Sequence, residues 1–200
     1  DAGLIEAYRE SRDIHAATAS QVFHVPLDKV TPLQRRNAKA VNFGIVYGIG
    51  AFSLAKDIGV SNKEAKHYIE SYLAHYSGVD SYMKNVVEKA NADGYVETMF
   101  GRRRNLPELT SSKHMIRAFG ERVARNMPIQ GTAADIIKIA MIKVDERMKA
   151  ENLRARLVLQ VHDELIVEAP QDESMRVALI VQEEMENAVK MSVPLTADAA

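Results

Sequence analysis

The sequence has no cysteine. Disulfides and thiolate metal sites are therefore excluded. It has no apolar run of transmembrane length and no signal-peptide pattern at its start. Internal repeats and low-complexity tracts are also missing. Neither sign of charge dominates: 26 Lys and Arg stand against 27 Asp and Glu, a formal net charge of -1. That balance argues against a uniformly basic nucleic-acid binder. Together these absences fit a soluble chain in a reducing, cytoplasmic setting with no membrane partner. What is there is ordinary in bulk. The 200 residues are 46% hydrophobic and 26% charged, enough for one or two domains with a real core.

The charge is unevenly placed. Residues 101–126 carry Arg102, Arg103, Arg104, Lys113, Arg117, Arg122 and Arg125 against Glu108 and Glu121, a net of +5. Residues 171–187 carry Asp172, Glu173, Glu183, Glu184 and Glu186 against Arg176, a net of -4. Such segregation allows one basic face on a neutral protein.

The stretch QRRNAKAVNFGIVYG, residues 34–48, is the most informative. Arg35, Lys39, Phe43 and Tyr47 stand four residues apart. Each step of four advances about 40° past a full turn, so the set forms a slowly winding stripe on one helix face. Cations suit phosphates, and flat rings suit sugars and bases. The plain alternative is a solvated helix start followed by core aromatics. Two details favour a ligand. The cations sit near the amino end, where the helix dipole disfavours positive charge unless an anion is present. Ala38, Val41, Ile45 and Val46 supply a core side without Phe43 or Tyr47.

Along the chain, residues 4–10 read as a short helix, and Asp13 as the N-cap of a helix over 14–23. His15 lies in its first turn. Thr31 with Pro32 launches the central helix, and Gly44, Gly48 and Gly50 mark a stop or hinge at its end. Helices are expected over 51–58, from the Ser61/Glu64 capping box to about residue 75, and over 79–92. A hairpin follows around residues 95–105. A basic helix over 112–126 is interrupted at Pro128, and a long helix then runs to about Ala150. Residues 156–161 and 165–168 read as a hairpin with a charged tip, residues 172–190 as a helix, and residues 193–197 as a last strand.

Two further stretches could carry chemistry. The tip QVHDE lacks the Asn-Gly or Asp-Gly of a tight turn and places Asp163 beside Glu164. Mg²⁺ is usually held by one or two carboxylates plus substrate phosphates, although a solvated polar turn would look the same. In RNMPIQGTAADIIK, Arg122, Asn126 and Gln130 flank Pro128 and could read base edges and sugars, or merely cap two helices.

DIHAATASQVF, QRRNAKAVNFGIVYG, GYVETMFGRRRNLPEL, ERVARNMPIQGTAADIIK and LVLQVHDELIVEAP occur in this order. In these segments the chain resembles the polymerase region of family A DNA polymerases, across essentially all of its length. QRRNAKAVNFGIVYG is similar to the family's motif B and QVHDE to its motif C. The resemblance implies an α+β fold, with a helical fingers subdomain and part of a palm whose antiparallel sheet packs on helices. Residues 1–30 would lead into the fingers, 31–94 would be the fingers, and 95–200 a partial palm.

The resemblance also implies roles for single residues. Arg35, Lys39 and His15 match triphosphate contacts. Phe43 matches the ring beside the nucleotide sugar, and Tyr47 the ring at the template-base position. Asp163 matches a catalytic, metal-binding carboxylate, with Glu164 in support. Arg117, Arg122, Asn126, Gln130 and His162 match contacts to primer and template. The implied partners are primer-template DNA and dNTP, the implied cofactor is two Mg²⁺ ions, and the implied setting is the bacterial cytoplasm and nucleoid.

The motif A carboxylate does not occur in the sequence, so the chain is expected to be a fragment that does not polymerise alone. The rival readings are a non-enzymatic DNA-binding module descended from a polymerase, and a magnesium-dependent nuclease using the HDE tip. The nuclease reading lacks further carboxylates at suitable places. The oligomeric state stays open, and so does edge pairing of a palm sheet short of one strand.

Overall fold

The computed structural model describes residues 1–199. The elements are α1 (Ala2–Arg9), α2 (Ile14–Phe23), α3 (Pro32–Val46), α4 (Ala51–Ile58), α5 (Asn62–His75), α6 (Ser77–Asp93), β1 (Tyr95–Glu97), β2 (Arg103–Asn105), α7 (His114–Ala150), β3 (Arg156–Val161), β4 (Glu164–Glu168) and α8 (Ser174–Glu186). Short 3₁₀ turns occupy Leu27–Lys29 and Pro107–Thr110. β1 pairs with β2 and β3 with β4, both antiparallel. The expected α+β class with a helical subdomain is observed. No helix among the described residues is long and apolar enough to cross a membrane.

By packing, the chain forms two compact units, Asp1–Glu97 with Gly101–Pro128, and Thr98–Phe100 with Ile129–Ala200. The first unit is built on well-specified helix starts. Thr31 and Gln34 form a reciprocal capping box at α3, with Pro32 at the first helical position. Ser61 and Glu64 do the same at α5. Each box satisfies two backbone donors that a helix start leaves open. Asp1 serves two helices: its carboxylate accepts from Leu4 N in α1 (3.1 Å) and from Gly78 N in the first turn of α6 (2.9 Å). Val41 and Ile45 of α3 then bury against Leu54, Ala65, Tyr72 and Tyr76. Ala90, Val96, Leu106, Leu109 and Ala124 form a second cluster in the same unit.

In the second unit Val144 and Met148 of α7, Ala155, and Val177 and Ile180 of α8 make the core, with Leu157, Leu165 and Val167 of the hairpin packed on it. The β3–β4 register is irregular between Leu157 and Leu159, so Val158 is an extra residue on one strand. Arg147 bridges Glu151, Glu183 and Glu184 from the last turns of α7 towards α8.

Two expectations need correction. The break at Pro128 is absent: α7 is one helix of 37 residues with Pro128 inside it. Pro128 lacks the N–H that would bond the carbonyl of Ala124, a loss of about 3 kcal/mol with the ring clash. Burial of Ala124 before it, and of Ile137, Ala140, Val144 and Met148 after it, outweighs that cost. Residues 193–197 form no strand. Pro194 removes a ladder donor there, and Ala197 N–H donates instead to Glu186 Oε1 at 3.1 Å.

Candidate functional site

α3 carries the stripe on its open side. Ala38, Val41 and Ile45 are buried, whereas Phe43 is 46% and Tyr47 44% exposed. Exposed rings occur elsewhere in the chain, Phe52 among them, so what distinguishes this pair is that the two rings lie together on one helix face after two cations. Their planes are near parallel, 15° apart, with centroids 6.3 Å apart. Lys39 Nζ stands 5.7 Å from the Phe43 centroid and makes no ion pair among the described residues. The stripe is therefore two cations followed by two stacked rings, as the spacing predicts.

α2 packs against α3 and adds His15 and Asp13 to this face. Asp13 caps α2, accepting from His15 N (3.0 Å) and Ala16 N (3.1 Å) through Oδ1. Its Oδ2 accepts from Arg35 Nε at 2.6 Å. The Arg35 guanidinium holds the Asp13 carboxyl below its ordinary value, assisted by the two backbone donors and opposed by burial. His15 Nδ1 meets Asn42 Nδ2 at 2.9 Å, and its ring lies 5.8 Å from that of Phe43. Burial pushes the His15 imidazole below its ordinary pKa, with Arg35 and then Lys39 adding to this and Asp13 opposing. His15, Arg35 and Lys39 thus form one cationic or donor cluster at the amino end of α3.

The carboxyl end of α3 is locked. Ile49 N–H donates to Gly44 O (2.7 Å), and Gly48 N–H to Ile45 O (2.9 Å), a Schellman motif with Gly48 left-handed at φ 68°. Ile49 folds directly over Gly44: a Cβ there would lie 2.5 Å from Ile49 Cγ2. Phe43, Tyr47, the three glycines, Ser53, Asp57 and Arg122 line an open groove of about 640 Å³ at this end. Arg122 approaches Gly48, and its guanidinium lies 5.8 Å over the Phe119 ring. Asn126, one turn later, keeps a buried Oδ1 without a hydrogen-bond partner. Arg117 donates to Ser111 O at 3.0 Å.

Within the first unit, then, His15, Arg35, Lys39, Phe43 and Tyr47 share one face, and Arg122 reaches its far end. Gln130, His162, Asp163 and Glu164 belong to the second unit, and all four are exposed. Val161 pairs with Glu164, leaving a two-residue tip of His162 and Asp163. Only His162 takes a positive φ, 52°, and Gln160 Nε2 braces it by donating to its carbonyl at 2.6 Å. Asp163 and Glu164 make no ion pair among the described residues, and no cluster of three His, Asp or Glu there could hold a metal ion by itself. Two exposed, unpaired carboxylates suit a hard cation, but they supply only part of a coordination shell.

Two residues of this face are not evident from the sequence. Asp13 reads there only as a cap, although the charge of Arg35 makes a natural partner for it. The signal of Asn42 is a polar residue set among Ala38, Val41 and Ile45 on the inner side of the helix.

Comparison with known proteins identifies the family. The family model described as DNA polymerase family A matches residues 1–200. The chain is similar to DNA polymerase I of Bacillus caldotenax, 54% identical over 198 residues, covering 99% of this chain and 23% of that protein. It is 52% identical over 200 residues to DNA polymerase I of Bacillus subtilis (strain 168), again 23% of the relative's length. The chain therefore spans about a quarter of these relatives. A solved POL domain of Pol1 from M. smegmatis, in complex with DNA primer-template and dNTP, superimposes with a TM-score of 0.92 at 49% identity, covering 98% of this chain and 34% of that one. The chain belongs to DNA polymerase family A.

Proposed function

We propose that these residues supply the nucleotide-binding helix and part of the metal-holding site of a template-directed DNA polymerase. The reaction joins a primer 3′-hydroxyl to the α-phosphate of a dNTP and releases pyrophosphate. The observation that carries the reading is the α3 face, with Arg35, Lys39, Phe43 and Tyr47 open to solvent and His15 added from α2. The M. smegmatis structure, which holds primer-template and dNTP, supports the same partners here. Residues 31–94 are read as fingers, and residues 95–200 as part of the palm.

In this reading Arg35, Lys39 and His15 hold the triphosphate and neutralise charge growing on the leaving phosphates. Phe43 packs beside the sugar, and Tyr47 occupies the template-base position. Arg117, Arg122, Asn126, Gln130 and His162 contact primer and template, and Asn126 brings an unpartnered acceptor to that task. Asp163, supported by Glu164, would hold Mg²⁺, which fits their exposed, unpaired oxygens. Two such ions, when bound, supply activation of the hydroxyl and neutralisation of the triphosphate. Base choice is left to pairing, so the protein tests pair shape rather than reading bases.

The test is made in the full-length parent polymerase. Asp163→Ala should abolish primer extension and leave duplex binding intact, and wild-type-like extension would refute the metal role. Lys39→Ala should raise the KM for dNTP by about 10- to 100-fold, the worth of a charge-assisted contact, with duplex affinity unchanged. Equal losses in both would remove the triphosphate assignment. Residues 1–200 alone should not extend a primer, because Asp163 and Glu164 are only part of the metal site.

A further inference from the structure

We infer that a triphosphate binding at this face takes up a proton from solvent, held on the imidazole of His15. The inference deepens the reading of His15, Arg35 and Lys39 as triphosphate contacts and rests on it. It starts from a cationic cluster whose one carboxylate is already committed. Asp13 Oδ1 accepts from His15 N at 3.0 Å and from Ala16 N at 3.1 Å, while Oδ2 accepts from Arg35 Nε at 2.6 Å. Both oxygens are engaged, and His15 forms no ion pair among the described residues. Arg35 and Lys39 act on the ring from α3. An imidazolium here would be a third positive charge with no anion of its own. Partial burial, with the Phe43 ring 5.8 Å away, also takes from it part of the water that would stabilise its charge.

The remaining neighbours leave that balance in place. α1, α5 and the Leu27–Lys29 turn also pack on α2, but among the described residues no charged group of theirs acts on the ring. Asn42 of α3 lies 2.9 Å from Nδ1, and its amide can turn either its NH₂ or its oxygen to the ring, so it opposes neither protonation state. Asp13 alone favours the charged form. A triphosphate supplies the missing anion. Its oxygens meet Lys39 and the Nη groups of Arg35, which Asp13 leaves open. The two cations are then neutralised, and the phosphate oxygens themselves attract a charged donor. Both changes raise the His15 pKa in the complex above its free-site value. The proton comes from the medium, and no bond of the nucleotide is made or broken. The charged ring carries N–H at both nitrogens, so it donates to phosphate whichever one faces it.

A group whose pKa rises on binding favours binding at low pH. Affinity for dNTP should be greatest below the free-site pKa. It should fall by at most about tenfold per pH unit between the free and bound values, then level off. The test uses the full-length polymerase on a primer-template whose primer ends in a dideoxynucleotide, so that dNTP binds without reacting. Calorimetric titrations with dNTP and Mg²⁺ near neutral pH, in two buffers of different ionisation enthalpy, count the protons taken up. Wild type should take up about 0.3 to 1 proton more than His15→Gln, which can donate but cannot titrate. From about pH 6 to about pH 9 its affinity should fall about 3- to 10-fold relative to that variant, the nucleotide's own titration being common to both. Ring-¹⁵N histidine spectra read the wild-type enzyme directly: at constant, near-neutral pH, dNTP should shift His15 from neutral towards imidazolium. A ring that stayed neutral, or a proton count no greater than that of the variant, would overturn the inference. If His15→Gln weakened binding by the same factor at every pH, with an equal proton count, His15 would remain a triphosphate contact and the proton uptake alone would fail. If the variant matched wild type in affinity and proton count throughout, the triphosphate role of His15 would fail as well.

Discussion

Replacing Gly44 by Ala puts two physical effects in opposition. Gly44 lies inside the last turn of α3, where Ala is favoured over Gly by about 1 kcal/mol. The added Cβ, however, would lie 2.5 Å from Ile49 Cγ2 and 3.4 Å from Ile49 Cβ. Carbon contacts prefer about 3.5–4.0 Å, so one partner must move by roughly 1 Å. Ile49 is not free to move, because its own N–H donates to Gly44 O at 2.7 Å. A β-branched side chain cannot rotate its Cγ2 away cheaply. Overpacking of this kind costs about 1–3 kcal/mol, so Gly44→Ala should destabilise by about 1–2 kcal/mol net. Ile49→Ala removes the clashing atoms. In that background Gly44→Ala should be neutral, or stabilising by up to about 1 kcal/mol. Urea unfolding of the four variants, followed by circular dichroism, gives the coupling energy directly. If Gly44→Ala stabilised the wild-type background, or had the same effect in both backgrounds, the contact would not be what demands glycine.

Gly48→Ala should cost about 1 kcal/mol, because φ 68° is left-handed and an Ala Cβ would meet Arg122 Cγ at 3.2 Å; an unchanged unfolding midpoint would refute this. Thr31→Ala removes half of a capping box and should cost about 1 kcal/mol in the same assay, against a few tenths for Thr31→Ser. Asp13→Asn keeps a capping side chain but removes the charge beside Arg35. Because the folded carboxyl lies below its ordinary 3.8, the charge stabilises above that pH, and the stability is lost as pH falls through the lowered value. The pair is about half exposed, so the gap between Asp13→Asn and wild type should be under about 1 kcal/mol at pH 7. The gap should close in acid, and one that widened in acid would reverse the sign of the argument.

Local rules made much of the fold readable in advance. Thr31-Pro32 and Ser61 with Glu64 declare their helix starts, because capping chemistry involves neighbours in sequence. The α3 stripe was legible because Ala38, Val41 and Ile45 already account for a core face. The HDE tip was legible as a hairpin from its β-rich flanks. The continuity of α7 through Pro128 was not legible, since it depends on burial of residues far apart in sequence. The strand expected over 193–197 failed for the same reason: a strand exists only with a neighbour to pair. At the site, Arg35, Lys39, Phe43 and Tyr47 announced themselves by spacing. The contacts of Asp13 and Asn42 cross from one helix to another, and only packing revealed them.

The ion pair between Arg35 and Asp13 has a consequence for selectivity. Asp13 is a resident anion, tethered at fixed distance, so its local concentration does not fall when the medium is diluted. It engages only Nε of Arg35, so both Nη groups stay open to an incoming anion, which meets a guanidinium whose charge is already partly offset. If this face takes a triphosphate as proposed, a single anion would gain less at Arg35 than it would beside a lone guanidinium, while a chain of phosphates would also reach Lys39, four residues further along α3. The carboxylate would then favour longer anions by a small margin, under about 1 kcal/mol for a half-exposed pair.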